Sequence, residues 1–270
     1  MSSPAEFDAR STGRFARRVL GGRRSAIVVA RFARSIYVEN AEGMACIGDA
    51  RLGHGPLNVI VDPTGPLPPV GVVVSVRFGS ARTWKPSSGP RARPAALARG
   101  LESLRRVRGR GLFAQRDADP AIAALRDWIA DGVHGRAPRA AAGLIGRGPG
   151  LTPAGDDLVG GALVALRTLR LNARAGRLGR WALRRARAGT NRISRAHLAC
   201  AAAGEGGAAL HALIAALVSG TIDPARELAA IDAVGHTSGW DAAAGALLVL
   251  QCAIPEQVDC ALSSGRGDRP

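Results

Sequence analysis

The hydrophobic positions change period part-way along the chain. From about residue 25 to residue 80 they fall in short runs: SAIVVAR, SIYVEN, MACIG, LNVIV and VGVVVSVRF. These runs are rich in β-branched residues and are separated by Gly, Pro and Asn/Asp, a pattern that predicts strands. YVENAEGMACIG reads as a hairpin with Asn40 to Gly43 at its turn. Pro63, Pro66, Pro68 and Pro69 forbid continuous pairing between LNVIV and VGVVVSVRF, so a loop is expected there. No long helical pattern interrupts this half.

The remainder follows a helical period. Asp119-Pro120 supplies a cap and a proline at the first helical position, and Ile122, Leu125, Trp128 and Ile129 then form one apolar face that ends near Gly132. Leu158, Ala162, Leu163, Ala165, Leu166 and Leu169 make a second stripe. Leu210, Leu213, Ile214, Leu217 and Val218 make a third, closed by Gly220. Asp223-Pro224 opens a further helix, and DAAAGALLVLQCAI is apolar nearly all round, which places it at the centre of the helical part. The expected fold is α+β, an N-terminal antiparallel β sheet or small barrel followed by an α-helical bundle. The expected division is a flexible N-terminus over 1–22, a β-rich domain over 23–90, a helical domain over 91–255 and a flexible tail over 256–270. SGPRARPAALARG (88–100) is the expected join.

Composition narrows the classes. The 270 residues are 47% hydrophobic and 21% charged, values of a globular chain with a real core. Arg or Gly breaks every apolar stretch before it could cross a bilayer, and the basic start lacks an apolar leader core. A cytoplasmic protein is expected, with Cys46, Cys200, Cys252 and Cys260 as reduced thiols in no metal-ligand spacing. The net charge of +16 raises nucleic acid as a partner. Against it, Lys85 is the only lysine, the arginines are spread along the chain, and only ten residues are aromatic. That bias resembles GC-rich coding, and a small anion is the better-supported partner.

The chemistry concentrates in two segments. In GLIGRGPGLTPAGDDLVGGALVAL (143–166), Gly146, Gly148, Gly150 and Gly155 surround Thr152 and precede Asp156-Asp157, where a helix begins. A glycine loop entering a helix start exposes N–H groups suited to an anion. The GK[ST] ending of a Walker loop and the strand context of a dinucleotide fingerprint are both missing. A bland alternative is a tight turn capped by Asp156. GHTSGWDAAAGALLVL (235–250) repeats the logic: Ala154-Gly155-x-Asp157-x-x-x-Gly161-Ala162-Leu163 aligns with Ser238-Gly239-x-Asp241-x-x-x-Gly245-Ala246-Leu247. Each Asp lies four residues before a glycine on the same helical face. Those glycines would let the two helices pack closely and bring both polar starts to one pocket.

In that pocket, backbone N–H groups around Gly148, Gly150 and Gly155, together with Asp156, would bind the substrate. Thr152, Thr237 and Ser238 would donate hydrogen bonds to a carbonyl oxygen that gains charge. Asp157 and Asp241 would orient N–H groups or move a proton, their pKa values spread by burial and mutual repulsion. His236, inside the second loop, is a candidate proton carrier. In GTNRISRAHLACAAAGEGG (189–207), Asn191 and Ser194 could contact a ligand, although a capping serine and an ordinary helical His197 are the simpler reading. No metal ligand set is assigned and no cofactor is expected; a Mg²⁺ bridging Asp and phosphate stays open.

These segments resemble the AllH-like family, long described as a domain of unknown function, one member of which is a subunit of an oxamate carbamoyltransferase of allantoin breakdown. The residues that carry the resemblance are Gly148-Pro149-Gly150-Leu151-Thr152-Pro153-Ala154-Gly155-Asp156-Asp157, the stretch from Thr190 to Ser194, and Gly235-His236-Thr237-Ser238-Gly239-Trp240-Asp241. Gly55-Pro56-Leu57 matches more loosely. Position 154 usually carries serine in the family, and here it is alanine. The resemblance implies carbamoyl chemistry, oxalurate and phosphate interconverting with oxamate and carbamoyl phosphate, in concert with other enzyme subunits. A non-catalytic ligand-binding or assembly subunit is the alternative.

Overall fold

The computed structural model describes residues 5–22, 24–62, 65–87, 89 and 92–264, with side chains to 253. The chain divides into two compact units, residues 1–87 with 205–208, and residues 88–204 with 209–270.

The first unit is a closed six-stranded barrel. It is built from β1 (Ala5–Gly13), β2 (Ala26–Arg31), β3 (Ser35–Asn40), β4 (Gly43–Gly48), β5 (Asn58–Val61) and β6 (Val73–Arg77). The strand order is β5-β4-β3-β2-β6-β1, and β1 pairs back onto β5 through Ala9↔Val61 and Thr12↔Val59. The helix α1 (Arg14–Leu20) follows β1, and a short β7 (Arg82–Trp84) lies beside β1. The expected turn joins β3 and β4, with Asn40 opposite Gly43 at φ +135°. The barrel is mixed: β1–β6 and β4–β5 are parallel and the other barrel pairings antiparallel. Its core is Val28, Ile36, Val38, Ile47, Val59, Val74 and Val76, with Ala16, Val19 and Leu20 of α1 packed against them.

The flexible segment expected over 1–22 is corrected for residues 5–20, which form β1 and α1. Strand β1 is held by charge as well as by pairing. Asp8 stands opposite Arg77 and accepts from it at 2.8 Å, while Arg77 also reaches Glu6 at 3.2 Å.

The second unit is helical: α2 (Pro94–Glu102), α3 (Gly111–Gln115), α4 (Pro120–Ala130), α5 (Arg139–Ala142), α6 (Ala154–Thr168), α7 (Asn172–Gly189), α8 (Arg192–Ala202), α9 (Ala208–Ser219), α10 (Ala225–Asp232) and α11 (Ser238–Ser264). The Asp119 side chain caps α4 by accepting from the amides of Ala121 and Ile122. Helices α6 and α11 form the centre, and Leu158, Leu163 and Leu166 of α6 and Ala243, Ala246 and Leu250 of α11 belong to one buried core. Helix α11 carries the backbone as helix through 256–264 of the expected tail, and residues 265–270 lie outside the described residues. Among the described residues no helix is long and apolar enough to cross a membrane. Cys46 and Cys200 are buried and Cys252 is half-buried, none of the three in a disulfide, while the Cys260 side chain lies outside the described residues.

Candidate functional site

The two glycine-and-aspartate segments meet. A methyl group at Gly161 would sit 1.9 Å from the Ala242 carbonyl oxygen, and one at Gly245 would sit 1.7 Å from that of Leu158. Only glycine allows backbones this close. The contact is reciprocal: the repeat equates position 158 with 242 and 161 with 245, so each helix offers its partner the same surface. That is the pattern of a local two-fold arrangement.

The same crossing brings the helix starts together. Thr152 Oγ1 and Ser238 Oγ lie 3.0 Å apart. Ser238 donates in turn to Asp157. Asp241 is fully buried, and its Oδ1 accepts the Leu112 amide at 2.6 Å while the Thr237 hydroxyl also donates to the carboxyl. Burial pushes the Asp157 carboxyl well above the ordinary carboxylate range, the Ser238 hydroxyl works against that, and the charges of Asp241 and Asp156 raise it further. Burial also raises Asp241, against the Leu112 amide and the Thr237 hydroxyl. One oxygen of each acid, Asp157 Oδ2 and Asp241 Oδ2, is buried with no hydrogen-bond partner.

Other candidates turn inward. Asp156 Oδ1 accepts the Gly146 amide at 2.8 Å, and Asp156 Oδ2 accepts both the Ser194 hydroxyl at 2.6 Å and the Thr190 hydroxyl. Asn191 caps α8 by accepting the Ser194 amide at 3.0 Å. The ligand contacts expected of Asp156, Asn191 and Ser194 are therefore replaced by a bracket that ties the start of α8 to the glycine loop. The Ser194 hydroxyl is thus given to Asp156, and the cap of α8 expected of Ser194 is supplied by Asn191. Gly155 donates its amide to the Arg147 carbonyl, and a methyl group there would lie 1.9 Å from the Leu144 carbonyl oxygen. Its role is close approach, with no amide left for an anion. The hydrogens of Ser238 and Thr237 are engaged by the carboxyls, which corrects their expected role as carbonyl donors.

Three features face outward. Gly148 and Gly150 are exposed at φ +113° and +88°. Thr152 is half-exposed beside them, and His236 is exposed in the turn ahead of α11. Two arginines flank the acids, each already paired: Arg147 with Asp119 at 2.6 Å, and Arg110 with Asp232. The Arg147 guanidinium holds Asp119 below its usual value.

Sequence reasoning missed the 109–112 turn. Gly111, at φ +57°, passes so close to Asp241 that a methyl group would lie 2.3 Å from Asp241 Oδ1. The signal was the string R-G-R-G-L at 108–112, a short echo of G-R-G-P-G-L at 146–151. Among the described residues no cluster of His, Cys, Asp and Glu could hold a metal.

The decisive comparison concerns this same region. Residues 144–250 match the AllH family model, oxamate carbamoyltransferase subunit AllH. That is the family the sequence resembles. The AllH match starts at the residue whose carbonyl Gly155 packs against, and it ends inside α11, so it spans both glycine-and-aspartate segments and the bracket between them. Comparison with curated proteins and with solved structures returned no significant match.

Proposed function

We propose that the helical unit is the substrate-binding part of a carbamoyltransferase subunit of the AllH type, holding a small anionic amide or ureide where α6 and α11 start. The observation that carries this reading is the Thr152–Ser238 contact at 3.0 Å, which joins the two segments within the region of the AllH match. The exposed turn Gly148 to Gly150 faces the anionic end of the ligand, where positive φ lets a backbone approach closely. Asp157, half-exposed with a raised pKa, holds or passes the proton. Asp241 sets its charge environment, and His236 carries protons to solvent. Other subunits complete the enzyme.

The test is phosphate-dependent cleavage of oxalurate by the chain combined with candidate partner subunits. Asp157→Asn lowers turnover at least about 100-fold, the usual weight of a general acid or base. Unchanged turnover removes Asp157 from the chemistry. A second reading, a binding or assembly subunit without catalysis, draws support from the internal engagement of Asp156 and from the prior pairing of Arg147 and Arg110. Calorimetric binding without turnover in any subunit combination favours it.

A further inference from the structure

Helix α7 turns an arginine face to solvent. Its buried positions, Ala175, Leu178, Gly179, Ala182 and Ala186, lie on one side. By the helical period Arg180, Arg184 and Arg187 lie together on the opposite side, and all three are exposed. They follow one another at i, i+4 and i+7, about 10 Å from first to last.

Elsewhere exposed arginines meet acids: Arg77 reaches Glu6 and Asp8, and Arg110 reaches Asp232. Among the described residues no acid pairs with Arg180, Arg184 or Arg187. The reason is in the sequence. Between Asp157 and Glu205 the chain carries ten arginines and no Asp or Glu, although the whole chain has 21 acids. Arginine-rich coding accounts for the arginines but not for the missing acids. The helix dipole favours a cation in the last turn, where Arg187 stands, but not Arg180 about two turns earlier.

Like charges at these spacings repel along the helix. A partner bearing carboxylates relieves that repulsion, and each guanidinium can hold a carboxylate through two parallel hydrogen bonds. Two features select the kind of partner. Ala173, Gly176 and Ala188 lie beside the arginines on the outer side, so another helix can approach closely between the guanidinium groups. Trp181, the one aromatic residue of α7, is packed edge-on against Trp128 with ring centres 5.3 Å apart, so the outer face has no ring on which a base could stack.

We propose that this face of α7 docks an acidic helix of a partner subunit, its carboxylates spaced to meet Arg180, Arg184 and Arg187. The inference rests on the subunit reading above for the existence of a protein partner, and on charge complementarity for its chemistry.

The probe is a peptide of about 20 residues, long enough to hold a helix, with glutamates along one face. It and its glutamine counterpart are titrated onto the full chain at about 0.15 M salt. The glutamate peptide should bind and the glutamine peptide should not. Arg180→Gln, Arg184→Gln and Arg187→Gln together should weaken binding about tenfold or more. Arg31→Gln, Arg34→Gln and Arg51→Gln together make the same change of net charge at exposed barrel positions, and should leave the affinity within about twofold. No binding by the glutamate peptide, or equal losses in both triple variants, overturns the inference. So does a DNA duplex of about 20 base pairs that binds more tightly than the peptide through the same three arginines. Sedimentation with the candidate partner subunits separates the two readings. An assembly that forms equally well with wild type and the α7 triple variant overturns the inference and leaves the subunit reading standing. If the wild type assembles with no candidate, the subunit reading fails, and the peptide still decides the arginine face.

Discussion

Gly161 and Gly245 seat each other's helices: each passes the partner backbone where a side chain would strike a carbonyl oxygen. Gly161→Ala and Gly245→Ala should therefore each destabilise the protein by about 3 kcal/mol or more, because the clash is with backbone and cannot be relieved by a rotamer change. Gly160→Ala is the control. Its new methyl group would meet only the Ala201 side chain at 3.7 Å, so it should be neutral or stabilising by up to about 1 kcal/mol. Urea denaturation of the three variants checks the contrast.

Asp156 should behave as a structural residue. Asp156→Ala leaves the Gly146 amide and the Thr190 and Ser194 hydroxyls without their acceptor. A loss of about 3 kcal/mol or more follows from one to two for each unsatisfied group. Ser194→Ala, which removes one donor, should cost about 1 kcal/mol. Thermal melts measure both, and equal melting temperatures for wild type and Asp156→Ala would contradict the bracket.

The buried acids give opposite pH signatures. Asp157 has a raised folded pKa, so the folded state binds the extra proton and stability falls as pH rises from the ordinary carboxylate range through the raised value. Asp157→Asn should raise the melting temperature at neutral pH, and the gain should vanish near pH ~4. Asp119 has a lowered folded pKa, so its contribution is present above the ordinary range and is lost as pH falls through the lowered value. Asp119→Ala should cost about 1 kcal/mol at neutral pH through the cap on α4 alone, with the difference shrinking in acid. Melts across pH read both signs.

Thiol labelling should separate the cysteines. Burial pushes the Cys46 thiol up to about 12, leaving almost no thiolate at neutral pH. Cys252, half-buried, should react first among Cys46, Cys200 and Cys252. Cys46→Ser should leave the labelling of native protein unchanged.

The fold was legible where the pattern was local. The β-branched runs became β2 to β6, and the apolar stripes became α4, α6, α9 and α11. Strand β1 was hidden because its alternation is carried by Glu6, Asp8 and Arg10 facing out, and its partners, Arg77 and Asp62, lie far along the chain. Helix α7 was hidden for a related reason. Its inner face is made of Ala175, Leu178, Gly179, Ala182 and Ala186, small residues that read as composition bias amid arginines. At the site, the repeat pointed to the meeting of α6 and α11. It could not distinguish Asp157, which meets Ser238 of α11, from Asp156, which braces α8, because adjacent helical positions differ only by what the rest of the chain brings to them. The amide of Leu112 was signalled only by the glycines of R-G-R-G-L at 108–112, since a backbone donor carries no side-chain signature.

A double-mutant cycle on oxamate affinity tests most directly whether the segments around 152 and 238 build one site. Thr152→Val, Ser238→Ala and the double variant are compared with wild type by calorimetry. Both single changes should weaken binding, and the double change should cost about 1 kcal/mol less than their sum, because each hydroxyl acts through the other. Affinity untouched by either change, or losses that simply add, would contradict a shared site.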